Sequence, residues 1–130
     1  MNKTTLNWRD VSEICMGLIL TGRIDHSKFN ATMFTGAYES GFAKWFETKN
    51  KTQVAKVLGA DYEIAMQAAG TISSESSSDV EWHTILRTAA RRYQVGDRAE
   101  QISKRLKRGE DVTSQDAVEL ASSFKDLANP

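Results

Sequence analysis

The second half of the chain constrains the fold most: positions 80 to 108 read as one long basic helix, Ser114 to Leu127 as a shorter acidic one, and Gly109 as a tight turn between them. Between 80 and 108, eight cations (Arg87, Arg91, Arg92, Arg98, Lys104, Arg105, Lys107, Arg108) face three acids (Glu81, Asp97, Glu100), a balance of +5. From 109 onward only Lys125 opposes Glu110, Asp111, Asp116, Glu119 and Asp126, a balance of −4, so the first 79 residues carry about −1 of a zero total. Opposite signs on neighbouring helices favour an antiparallel hairpin, although each exposed pair contributes only about 0–1 kcal/mol. A hairpin this polar suggests assembly rather than chemistry.

The 130 residues are 40% apolar, enough for one domain to bury a core. A single cysteine, Cys15, excludes an internal disulfide and disfavours a cysteine-based zinc site. No apolar run reaches the roughly 18 residues of a membrane span. The apolar stretch Ile14 to Leu20 follows Trp8-Arg9-Asp10 and lacks a cleavage site, so no signal peptide is expected and the chain is expected to be cytoplasmic.

Trp8, Val11, Ile14, Cys15, Leu18 and Ile19 recur at helical spacing and Gly22 follows as a stop, predicting a core helix from Arg9 to Leu20. Tyr38, Phe42, Trp45 and Phe46 predict a second buried helix from Ala37 to about Lys49, with a single helical turn somewhere in Asp25 to Phe34. Thr52 is the expected cap of a short helix, Gln53 to Leu58, and Asp61 that of the next, through Ala69. Serines from Ser73 to Ser78 break the periodicity, and no strand is expected. The predicted organisation is all-α: a globular helical head over 1–72, a Ser-rich connector over 73–79, and a helical hairpin over 80–130. Within the long helix, Ile85, Leu86, Ala89 and Tyr93 share a face with Trp82, whereas Ala99, Ile102 and Leu106 lie elsewhere on the wheel. The change falls at Gly96: either a kink with Asp97 capping a fresh segment, or different neighbours along the length of the helix; a nearly continuous helix with a local bend is expected.

Catalytic signatures are absent. A phosphate-binding loop needs Gly-x-x-x-x-Gly-Lys-Ser/Thr, and Gly36 to Gly41 runs on into Phe42-Ala43, so no nucleotide cofactor or motor activity is expected. Asp25-His26 offers two metal ligands at most, and His83 reads as a surface residue. Cys15 lies on an apolar face, where a thiol is inert filler. Gln53 to Gly59 has the small residue and glycine of a helix-turn-helix, but the helix after it, Asp61 to Ala69, carries two acids and no cation for a groove. A ridge of Arg87, Arg91, Arg98 and Arg105 could touch only nucleic-acid backbone, and weakly, lacking interleaved aromatics.

One resemblance spans most of the chain. Glu13-Ile14-Cys15-Met16-Gly17-Leu18-Ile19-Leu20 resembles the opening helix of the N-terminal domain of DnaB-type hexameric replicative helicases, and Tyr38 to Thr48 the aromatic helix of that domain's head. Trp82-His83-Thr84-Ile85-Leu86-Arg87 with Ala90-Arg91-Arg92 is similar to the first arm of the family's hairpin. Gly109-Glu110-Asp111-Val112, leading to Ala117-Val118-Glu119-Leu120-Ala121, resembles its turn and second arm. Gly96-Asp97-Arg98 departs from the family, being polar where the arm is otherwise more apolar, and the ATPase domain is absent from this sequence. The resemblance implies a scaffold that forms a collar by pairing hairpins and that docks primase or a helicase loader. The expected self-association set is Trp82, Ile85, Leu86, Ala89, Tyr93, Val118, Ala121 and Phe124, giving a dimer or ring. Arg98, Lys104, Arg105, Lys107 and Arg108 are expected to contact a partner or nucleic-acid backbone. The alternative is a small DNA-binding regulator.

Overall fold

The computed structural model describes residues 6–73 and 78–128, which are all-α: six helices, α1 (Trp8–Leu20), α2 (Ala37–Thr48), α3 (Lys51–Leu58), α4 (Ala60–Gly70), α5 (Asp79–Lys107) and α6 (Ser114–Ala128). Ser74 to Ser77, most of the expected connector, lie outside the described residues. Two compact units divide at Ala90/Arg91, with α5 beginning in the first and ending in the second.

In the first unit α1 is the central element. Asn7 caps it by accepting from the Asp10 N–H, and it ends in a Schellman turn in which Arg23 N–H donates to Leu18 O (2.9 Å) and Gly22, at φ 74°, to Ile19 O (3.1 Å). Val11, Cys15, Met16 and Leu18 are completely enclosed. α1 packs on α4, and α2 on α3. Gly17 makes the first of these crossings close, since a Cβ there would lie 2.1 Å from the Ala65 carbonyl oxygen and 2.7 Å from the Ala69 Cβ. The expected single turn between α1 and α2 is two 3-10 turns, His26–Lys28 and Ala31–Met33. They are pinned to α1 where Trp8 Nε1 donates to Met33 O (2.8 Å) and the Thr35 N–H to the buried Ser12 hydroxyl (3.2 Å). The Arg23 guanidinium closes the far end of α4, donating to the carbonyls of Ala69, Ile72 and Ser73 at 2.7–2.9 Å.

Two expected caps move. Asn50, not Thr52, starts α3, because its side-chain oxygen accepts from both Thr52 and Gln53 N–H groups. Gly59, at φ 59°, joins α3 directly to α4, so Asp61 falls inside the first turn instead of capping it. Helical hydrogen bonding runs through Gly96, so Asp97 caps nothing; its carboxylate accepts instead from Gln101 Nε2 at 3.0 Å.

The main correction concerns the start of α5. The expected head boundary at 72 is too early: Trp82, Leu86 and Ala89 belong to the same buried cluster as Val11, Cys15, Phe29 and Phe34, with Ile85 packed against it. Trp82 is fully enclosed, and the Cys15 thiol donates to its carbonyl at 3.8 Å. Lys28 pairs with Asp79 (3.6 Å), and the ring of His83 meets Phe29 edge-on at 5.5 Å. The aromatic stripe of the long helix is the lid of the head's own core.

Candidate docking surface of the second unit

The second unit holds the end of α5, a turn, and α6. α5 stops in a Schellman turn: Glu110 N–H donates to Arg105 O and Gly109, at φ 82°, to Leu106 O, both at 3.0 Å. The chain re-enters helix through a capping box, in which Thr113 Oγ1 accepts from the Asp116 N–H at 3.1 Å and the Asp116 carboxylate accepts in turn from the Thr113 backbone N–H and side chain. Ion pairs then bind the two arms. Arg105 meets Asp116 at 3.2 Å and Arg98 meets Asp116 at 3.6 Å and Glu119. Partners lie farther apart in sequence away from the turn, the signature of antiparallel arms.

These pairs decide the fate of the expected cationic contact residues. Arg98 and Arg105 are turned onto α6, Lys104 pairs with Glu100 (3.3 Å), and Arg108 with Glu110 (2.7 Å). Lys107 alone of the five has no acidic partner among the described residues. Half of the basic ridge, Arg98 and Arg105, is thus neutralised by the acidic arm. Beside it lies an open groove of about 460 Å³, edged by Arg91, Gln94, Arg98, Gln101, Ser123 and Asp126, where Arg98 Nε is shielded without an acceptor among the described residues.

Hydrogen bonding by Thr113, with the Arg105 guanidinium beside it, holds the Asp116 carboxyl below the ordinary carboxylate range. A depressed folded value means stability present above the unfolded pKa and lost as pH falls through the folded one. The second unit is therefore expected to melt progressively lower below about pH 4, and Asp116→Asn to flatten that acid limb in thermal scans.

The apolar side of the unit is incompletely covered. At about 100° per residue, Val95, Ala99, Ile102 and Leu106 form one stripe on α5, and Ala117, Leu120, Ala121 and Phe124 one on α6, each turned the same way from the ion pairs. Val95 and Ile102 are buried, Ala99 and Leu120 half-buried, but Leu106 is 56% and Phe124 50% exposed.

The residues expected to self-associate therefore do not form one patch. Trp82, Leu86 and Ala89 are spent in the head's core, and Ile85 packs on it. Tyr93, 57% exposed, projects about 180° from Ile102, away from the α6-facing side of α5. Val118, 65% exposed, lies beside Arg98 and Glu119 on the ion-paired side. Ala121 and Phe124 remain on the open apolar side, joined by Leu106, which the sequence reading assigned to no interface; its i, i+4, i+7, i+11 spacing from Val95 was the signal.

In the first unit, the helix-turn-helix candidate places α4 with Ala65 and Ala69 buried on α1 and with Glu63, Ile64 and Gln67 outward, no cation among them. Burial pushes the Cys15 thiol up, far from thiolate chemistry. Among the described residues no group of three or more His, Cys, Asp or Glu could hold a metal, and no helix is long and apolar enough to cross a membrane. Comparison with family models, curated proteins and solved structures finds no match for this chain.

Proposed function

We propose that the chain is a non-catalytic assembly and docking module of DNA replication, working in the cytoplasm much as the N-terminal collar of a hexameric replicative helicase does, and engaging primase or a helicase loader. The replication context rests on the order of sequence features that resemble that collar. The assembly role rests on one observation: a two-helix unit spanning 91–130 leaves Leu106 and Phe124 half exposed along an apolar side. Two helices of this size bury too little on their own, and such units gain stability from a further apolar surface. A second copy offers the same stripe and completes a four-helix arrangement. ATP-driven work, in this reading, belongs to another domain or partner.

Light scattering at increasing concentration is expected to show a mass of two or more chains; a mass fixed at 14.5 kDa throughout would defeat the proposal. The competing reading, a helix-turn-helix regulator, has less support, because the outward side of α4 carries an acid and no cation.

A further inference from the structure

The sequence holds a second basic cluster, about thirty residues before the arginine ridge. From Lys44 to Lys56 four lysines (Lys44, Lys49, Lys51, Lys56) stand against one acid, Glu47, whereas the first 79 residues as a whole balance to about −1. Two aromatics, Trp45 and Phe46, are set among them. Glu47 is taken by Lys44 at 3.5 Å, and Lys49, Lys51 and Lys56 have no acidic partner among the described residues.

The fold gathers part of this cluster at the turn from α2 to α3. Phe46, on the last turn of α2, is 59% exposed, although the same helix buries Tyr38 and Phe42 completely or nearly so. Its ring is held in place: His26 meets it edge-on at 5.9 Å, Phe42 lies behind it at 6.4 Å, and Lys49 Nζ sits over it at 4.5 Å. Lys49 itself adopts the left-handed conformation at φ 51°, which leads the chain back into α3.

Helix electrostatics explain Lys49, a cation at the negative end of α2, where its ammonium also donates to Phe46 O at 2.8 Å. They do not explain Lys51. It opens α3 at the positive end of that helix, and no acid stands in the first turn to offset it. Placing a cation there costs stability, and a bound anion would recover it.

We propose that this turn is a contact site for single-stranded nucleic acid, with Phe46 stacking on a base and Lys49 and Lys51 taking the flanking phosphates. A single strand alternates flat bases with phosphates, and the turn alternates a flat exposed ring with lysines that can swing to either side. When a base takes the ring face, Lys49 Nζ leaves it for the backbone. Duplex keeps its bases stacked and offers nothing to Phe46. The inference does not depend on the assembly reading.

The test is fluorescence anisotropy of the full chain with a labelled oligothymidine of about 15 nucleotides at low salt. Wild type is expected to bind saturably, with affinity falling steeply as salt is added. Phe46→Ala and Phe46→Leu should each weaken binding about tenfold, the loss of one stacked base, and Phe46→Trp should restore it. Lys51→Gln should weaken binding and shallow the salt slope, whereas Arg87→Gln and Lys107→Gln on α5 should leave it unchanged. Circular dichroism establishes that each variant is folded, which the exposure of Phe46 and Lys51 favours. The proposal is overturned by no binding to wild type, by equal affinity for Phe46→Leu, by duplex binding as tight as the single strand, by a poly-glutamate peptide competing with the same dependence on Phe46, or by binding that follows Arg87 and Lys107 instead.

Discussion

Trp82→Ala is expected to destabilise the first unit by about 3–5 kcal/mol, the cost of emptying a fully enclosed aromatic site, and to lower its thermal midpoint by roughly 15–30 °C. The residue has no solvent contact, Leu86 and Ala89 continue its stripe into the same cluster, and its carbonyl receives the Cys15 thiol. Ordinary domains have only about 5–15 kcal/mol to lose. The same substitution should leave the association constant of the folded protein unaltered. If Trp82 were instead an interface residue, the chain would dissociate while its melting stayed the same. Tyr93→Ala is the control: at 57% exposure on the same helix it should cost far less than Trp82→Ala.

Enlarging Gly17 is expected to be the other severe change. An added Cβ would stand 2.1 Å from a carbonyl oxygen of α4, and backbone cannot rotate aside as a side chain can. Gly17→Ala should cost about 1–3 kcal/mol even though alanine is the better helix former by nearly 1 kcal/mol. Gly17→Leu should separate α1 from α4 and abolish cooperative melting of the first unit. Gly96→Ala makes the contrast, since nothing lies within 4 Å of a Cβ there; it should be neutral or stabilise α5 by up to about 1 kcal/mol. Circular dichroism melts of the three variants give the comparison directly.

What could be read from the sequence was local. The stripe from Trp8 to Ile19, the stops at Gly22 and Gly109, and the opposite charge of the two arms each depend on residues within a few turns of one another. Gly17 is a different case. Its reason for being glycine is the passage of Ala65 and Ala69, about fifty positions away, and no periodicity records a helix crossing. Trp82 shows the same limit in another form: the stripe it heads is plain in the sequence, but a stripe does not say what covers it. Its cover is α1 and the 3-10 turns, so the head extends well into the long helix. The caps failed for a local reason, competition among neighbours. Asn50 lies two residues before Thr52 and accepts from the Thr52 and Gln53 N–H groups, so the helix has already begun where Thr52 would cap it, while Gly59 makes the α3 to α4 corner so tight that Asp61 is already helical.

The candidate site divides along the same line. That arginines of α5 would meet acids of α6 followed from their signs, but register decided which were consumed, and it took Arg98 and Arg105 from the expected nucleic-acid face. Leu106 and Phe124 became partners in one surface only once the arms were paired.

The central claim, that copies associate through this apolar side of the second unit, is tested most directly by sedimentation equilibrium of the double variant Leu106→Glu/Phe124→Glu beside wild type. The account predicts an oligomer for wild type and a monomer for the variant, with the first unit melting at the same temperature in both. An oligomer that survives the double substitution, or a wild-type chain that stays monomeric at high concentration, would contradict it.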